Sequence, residues 1–233
     1  MKTVIKYLQL PLFFDVAKMQ QEVMAIYTDW QLHYQQSQYE GEWSALPLRS
    51  LGGSLTNLMV DGGDAAQFAD TPLMARCPYI KQVVDSIVCE KITVRLLKLQ
   101  PGAIIKEHKD THLNFENGEA RIHVPITTNN KVEFYLDNEP VILNEGECWY
   151  MNFNLRHRLA NNGTEARIHL VIDCKVSDWM RDIFSSENCP QKSIIPEPEL
   201  YTAAEKRQMI TTFRAMNTPQ ALAMAEELEN SIT

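Results

Sequence analysis

What this chain has little of narrows its class before any motif is read. Its five cysteines, at positions 77, 89, 148, 174 and 189, form no CxxC pair. Odd in number and without pattern, they argue against a disulfide framework or a thiolate zinc site and read as reduced, mostly buried thiols of a cytoplasmic protein. Basic residues are in deficit, 22 Lys and Arg against 30 Asp and Glu, for a formal charge of −8. That balance argues against nucleic acid or an anionic membrane as partner, since both require a basic face. No apolar run approaches the roughly eighteen residues that would span a bilayer. The N-terminal stretch MKTVIKYLQLPLFFD is not expected to be a signal peptide, because Gln9 and Pro11 break its apolar segment and no small-residue cleavage site follows. The remaining composition, 45% apolar and 22% charged over 233 residues, fits one globular domain with or without an appendage.

Residues 3–10 alternate as a strand does, and a helix is expected from Asp15, a suitable N-cap, to about Trp30. A second helix should begin at Pro78, a tolerated first-turn residue, and run to about Val88. From Lys91 the character changes to short strand-like runs (KITVRLLKL, EARIHVPI, KVEFYLD, EPVILN, ECWYMNF, HRLAN and EARIHLVID). Turn signals such as Pro101-Gly102, Asp137-Asn138 and Asn162-Gly163 separate them. Closely spaced short strands predict a mainly β sandwich or barrel of the jelly-roll kind, flanked by N-terminal helices. Beyond Asp178 the pattern turns helical. Thr202 and Glu205 make a capping box for a helix to about Met216, and Thr218 starts another. We expect a domain over residues 1–184 and a helical extension over 185–233. The stripe Leu222, Ala225, Leu228 of that extension is expected to cover the sheet or to form a homodimer contact.

The pentapeptide EARIH occurs twice, at Glu119–His123 and Glu165–His169. Side chains alternate along a strand. Arg121 and His123 therefore share one face, opposite Ile122 and Val124, and Arg167 and His169 share a face opposite Ile168 and Leu170. The apolar faces are expected to pack into the sandwich. Five of the six histidines (108, 112, 123, 157 and 169) fall in this half of the chain, with His33 alone outside it. In EHKD, His108 and Asp110 project from the same side of an extended segment. With a third ligand from another strand, they can form the two-histidine, one-carboxylate triad of non-haem iron sites. His157 stands ten residues before Arg167, across the Asn161-Asn162-Gly163 turn. A three-residue turn puts both on one face and a two-residue turn on opposite faces, whereas a strand crossing to the other sheet leaves both inward. A shared inward face is expected. An inward arginine is costly unless an anion meets it, and a carboxylate matches its fork.

Together, HxD, a distal histidine and an arginine ten residues on resemble the signature of Fe(II)- and 2-oxoglutarate-dependent dioxygenases. The stretch from about Ile92 to Cys174 is similar to the aspartyl/asparaginyl β-hydroxylase family, nearest to its bacterial proline cis-4-hydroxylase branch. The resemblance implies a double-stranded β-helix (jelly roll) with Fe(II) held by His108, Asp110 and His157, 2-oxoglutarate as co-substrate and O₂ as oxidant. It further implies Arg167 on the distal carboxylate of 2-oxoglutarate, His123 helping to bind that co-substrate, and Arg121 on the carboxylate of a small-molecule substrate. Animal aspartyl hydroxylases lack an acidic ligand at the position of Asp110, so its presence points to free amino acids or their derivatives. Hydroxylation of a peptidyl or carrier-bound residue, or metal binding without turnover, are the alternatives. Trp149, on an aromatic strand, is expected to wall the substrate pocket.

Overall fold

The computed structural model describes residues 2–27, 30–60, 65–111, 113–197, 201 and 203–231. The expectations for His112 and for Thr202 as a helix cap lie outside these residues. In chain order the strands are β1 (Thr3–Phe13), β2 (Gln31–Leu32), β3 (Tyr39–Glu40), β4 (Trp43–Leu51), β5 (Phe68–Asp70), β6 (Lys91–Leu99), β7 (Ile104–His108), β8 (Glu119–Thr127), β9 (Val132–Leu136), β10 (Glu139–Pro140), β11 (Glu147–Met151), β12 (His157–Asn161), β13 (Arg167–Lys175) and β14 (Lys192–Pro196). The helices are α1 (Val16–Ala25), α2 (Pro78–Ser86), α3 (Asp178–Ser185), α4 (Ala203–Met216) and α5 (Pro219–Asn230).

Local chemistry accounts for most of the boundaries. The Asp15 carboxylate accepts from the Lys18 N–H and starts α1. That helix stops at Ala25, short of the expected Trp30, because the Ile26 N–H turns back to the Met24 and Val23 carbonyls. Pro78 opens α2, and the Ser177 and Thr218 side chains cap α3 and α5. Asp137 and Asn138 both take positive φ between β9 and β10, the pair of left-handed residues that a tight hairpin demands. EPVILN, expected as a full strand, pairs only through Glu139 and Pro140.

The strands form two antiparallel sheets. The larger runs β14-β1-β11-β8-β13-β6-β4-β2 with β5 on β4, and the smaller runs β10-β9-β12-β7-β3. From β6 onward the chain alternates between sheets in the winding of a double-stranded β-helix: β11-β8-β13-β6 on one side face β10-β9-β12-β7 on the other. Two cores result. Leu96, Ile122, Val124, Leu170 and Ile172 pack outward from the large sheet onto Met19, Val23, Ile80, Val84, Met180 and Phe184 of α1, α2 and α3. Leu97, Leu99, Ile105, Phe134, Leu136, Leu159 and Val171 fill the space between the sheets.

This corrects one expectation. The apolar faces of the two EARIH strands lie under the helices, and it is their Arg and His faces that look into the sandwich.

Contacts divide the chain into a unit of residues 4–195 and a second made of residues 1–3 and 196–233. Within the second, α4 and α5 pair as a hairpin held by Arg214–Glu229 and by Lys206 Nζ on the Ser231 carbonyl. Its buried contacts on α5 are Ala221 and Ala225. Leu222, on the stripe expected to cover the sheet or to form a homodimer contact, is exposed.

Candidate active site

The register of three neighbouring strands sets the polar interior. β13 pairs with β8 on one side and β6 on the other, so Asp173 lies opposite both Arg121 and Thr93, and Val171 opposite both His123 and Arg95. The inward face of the large sheet thus carries Thr93, Arg95, Arg121, His123, Arg167, His169 and Asp173, all buried. On the small sheet, β12 pairs with β7 so that His157 lies opposite His108. His157 and Arg167 stand on different sheets and both face inward, as the crossing-strand alternative requires. The space between is a cavity of about 240 Å³ whose lining includes His108, Asp110, His157, Arg121, His123, Arg167, Arg95, Asp173 and His33.

At one end His108, Asp110 and His157 offer one ligand atom each, all within 4.8 Å of one another. The imidazoles are oriented by their own backbones: His108 Nδ1 lies 2.7 Å from the Lys106 carbonyl and His157 Nδ1 3.0 Å from that of Leu155. Donation from each Nδ1 leaves both Nε2 lone pairs for a metal, the arrangement seen when an outer hydrogen bond sets a ligand's tautomer. Burial, reinforced by His108, pushes His157 down to about 4, so its ring is neutral. Asp110 is held by its own N–H on the Phe153 carbonyl. Its Oδ2 accepts from Arg121 Nη1, while Oδ1 faces His108 Nε2 at 3.7 Å. Burial opposes its ionisation, yet Arg121 and the two histidines keep the carboxyl below its usual range. Two imidazole nitrogens and one anionic carboxylate oxygen suit ferrous iron and leave coordination positions for other ligands.

Arg121 departs from expectation. Nε donates to Asp173 Oδ1 at 2.6 Å, Nη2 to Oδ2 at 3.3 Å, and Nη1 to Asp110. Its fork is therefore taken by Asp173 rather than turned free toward a substrate carboxylate. Burial works against the charge, but Asp173 and Asp110 more than offset this and raise the guanidinium above its ordinary value. Asp173 also accepts from Thr93 Oγ1 at 2.7 Å and Arg95 Nη2 at 2.8 Å. Arg95 and the pairing role of Asp173 escaped the sequence reading. KITVRLLKL has the same polar alternation as EARIH, with Thr93 and Arg95 on one face, and that was the available signal.

Arg167 differs. Its Nη2 lies 2.9 Å from His169 Nδ1, and no carboxylate pairs with it among the described residues. Burial alone lowers it to about 9, which still leaves a cation at neutral pH. His169 is thus the hydrogen-bonded interior histidine expected. His123 stacks on Phe153 at 5.0 Å, and its Nε2 is buried without a partner. An unpaired cation and an orphaned imidazole nitrogen in the same cavity as the triad fit a dicarboxylate that reaches between them.

Trp149 must be corrected outright. It is fully buried and packs edge-on against Tyr7 with its indole N–H on Glu147 Oε2, outside the cavity lining. Glu147 sits two residues earlier on the same strand face, satisfying the indole locally and drawing the ring into the core.

A family model described as aspartyl/asparaginyl β-hydroxylase matches residues 14–176. The L-proline cis-4-hydroxylase of Rhizobium meliloti (strain 1021) is 27% identical over 135 residues, covering 57% of this chain. The match spans about half, 48%, of that relative's length. Among solved structures, a prolyl hydroxylase from Trichoplax adhaerens in complex with a hypoxia inducible factor peptide aligns with TM-score 0.49 at 12% identity, covering 78% of this chain and 88% of that one. A 2OG-Fe(II) oxygenase family oxidoreductase from Burkholderia pseudomallei aligns with TM-score 0.46 at 12% identity, covering 72% and 84%. On a match that takes in well over half its length, the chain belongs to the aspartyl/asparaginyl β-hydroxylase family.

Proposed function

We propose that this protein is an Fe(II)- and 2-oxoglutarate-dependent dioxygenase that hydroxylates a C–H bond of a small carboxylated molecule, an amino acid or a derivative of one. The observation that carries this is one cavity holding both a His-Asp-His ligand set and a buried arginine with no acidic partner. Neither a structural metal site nor a sensor needs the second feature. When bound, ferrous iron with 2-oxoglutarate and O₂ supplies the oxidising power, one oxygen atom entering the C–H bond and the other leaving in succinate as CO₂ is lost.

The chain's own residues hold and orient. His108, Asp110 and His157 fix the metal, their tautomers and ionisation set by Lys106, Leu155 and Arg121. Arg167 takes the distal carboxylate of 2-oxoglutarate in a charge-assisted pair, with His123 beside it, so the co-substrate lies in a single direction. Asp173 and Arg121 keep Asp110 ionised and in place. The apolar walls Leu97, Ile105, Phe134 and Leu159 exclude water from the reacting end. The R. meliloti relative is named for L-proline, which makes free L-proline the first substrate to try here.

The test is succinate formation from 2-oxoglutarate with Fe(II), together with a free amino-acid library, L-proline included, screened for a mass gain of one oxygen. Asp110→Ala should abolish iron-dependent turnover while thermal unfolding stays cooperative, because Arg121 keeps Asp173. Wild-type turnover in that variant removes Asp110 from the ligand set, and no succinate from the wild type removes the oxygenase reading.

A further inference from the structure

His33 stands far from the other histidines in sequence, yet it joins them in the cavity. The short strand β2 ends at Leu32, and the next backbone N–H, that of His33, donates to the Trp43 carbonyl at 2.8 Å. This anchors the residue where β2 closes the edge of the large sheet beside β4. The ring is 2% exposed and lies flat on the Trp43 indole, centroids 3.6 Å apart and planes within 13°. Tyr34 stacks on it at 4.7 Å and 26°. The ring thus stacks on two aromatic side chains, and it is polar.

Which hydrogen bond it can make is settled by its surroundings. Burial, with Arg95 and Arg121 adding to it, pushes the imidazole down to about 3, so the ring is neutral. Nδ1 accepts the Gln35 backbone N–H at 3.4 Å. A neutral imidazole that accepts at Nδ1 carries its proton on Nε2. His33 thus presents a donor. The Nε2 of His33 is not among the buried, unpartnered nitrogens, and the residue lines the cavity. Neither the iron ligand set nor the Arg167 end uses this donor, and Arg121, the expected substrate ligand, is already taken by two carboxylates.

We propose that His33 is a substrate-specificity residue, its Nε2–H donating to an oxygen of the substrate's carboxylate at the β2–β4 edge of the cavity. This rests on the oxygenase reading above. The donor is neutral and stacked on Trp43, so it supplies direction more than charge: it fixes which edge of the substrate lies against Trp43, and hence which carbon faces the triad.

The experiment compares wild type, His33→Phe and His33→Gln. Phenylalanine keeps the stack on Trp43 and removes the donor, while glutamine restores an N–H of similar reach. The affinity of metal-free protein for L-proline is measured by calorimetry, alongside KM for L-proline, KM for 2-oxoglutarate, and succinate formed without L-proline. His33→Phe should weaken L-proline binding and raise its KM about tenfold or more, the size of one hydrogen bond to a charged group. His33→Gln should recover part of the loss, and both 2-oxoglutarate readouts should stay at wild-type values. L-prolinamide, which lacks the carboxylate charge, should lose less than L-proline between wild type and His33→Phe. Equal L-proline affinity in wild type and His33→Phe, with succinate formation intact, overturns the assignment of His33 alone. Absence of succinate from the wild type overturns the oxygenase reading and this inference with it.

Discussion

The two EARIH strands bring an arginine each to one cavity, and the two arginines meet opposite fates. Arg121 is locked between Asp173 and Asp110 and carries its charge more firmly than in water. Arg167, on the next strand over, is equally buried but among the described residues meets a neutral histidine and no carboxylate, and its charge is weakened by burial. Identical local sequence therefore does two jobs. The difference comes from the residues opposite: the β8–β13 register sets Asp173 against Arg121, whereas Arg167 faces Leu99 of β6. A buried ion pair is structural, because breaking it strands a charge. A buried ion without an acidic partner among the described residues can receive one, and under the proposed function that contrast separates the scaffold of this site from its binding end.

The contrast can be broken by substitution. Arg121→Met should cost about 3–5 kcal/mol of stability, the usual result of leaving a buried carboxylate without its partner. Chemical denaturation of the apo protein measures it. A cost under about 1 kcal/mol would mean that Asp173 is satisfied by Arg95 and Thr93 without help, a scale set by ordinary hydrogen-bond values.

Acid sharpens the same comparison, because the cavity is also lined by histidines kept neutral. Burial holds His33 at about 3 and His157 at about 4, both below the free value near 6.5. Between those values and about pH 6.5 the unfolded chain binds protons that the folded one refuses, so stability falls as pH drops through that window. The slope is about 1.4 kcal/mol per pH unit for each such histidine once the unfolded ring is fully charged. His33→Phe should lower the slope by close to one proton, which thermal melts from pH 7 to 4 would show. An unchanged slope would mean that His33 protonates in the folded state. The smallest effect belongs to Arg167→Met, which removes an uncompensated cation and should leave apo stability within about 1 kcal/mol of wild type. A loss as large as that of Arg121→Met would reveal an acidic partner.

Much of this was legible before folding was considered. Alternation identified the shared faces of Arg121 with His123 and of Arg167 with His169, and HKD with a later histidine marked the three candidate ligands. Parity within one strand survives tertiary structure because it is set by the backbone. Direction does not survive: alternation shows that Ile122 and Arg121 oppose each other, but not that helices would claim the apolar side. Partner choice is harder still. That Trp149 would satisfy its indole on Glu147 and turn to Tyr7, that Asp173 would take the fork of Arg121, and that a distant His33 would close one edge all depend on which strands become neighbours. The exposed Leu222 has the same explanation, since α5 turns Ala221 and Ala225 toward α4.

The most direct test of the two-arginine account is an anaerobic titration of 2-oxoglutarate into Fe(II)-loaded wild type and Arg167→Met, following the visible charge-transfer band of the complex. Affinity should fall about tenfold to a hundredfold in the variant, the worth of one hydrogen-bonded charge at about 1.5–3 kcal/mol, with iron stoichiometry unchanged. Equal affinity in the two proteins would show that the unpaired cation is not where the co-substrate's distal carboxylate binds.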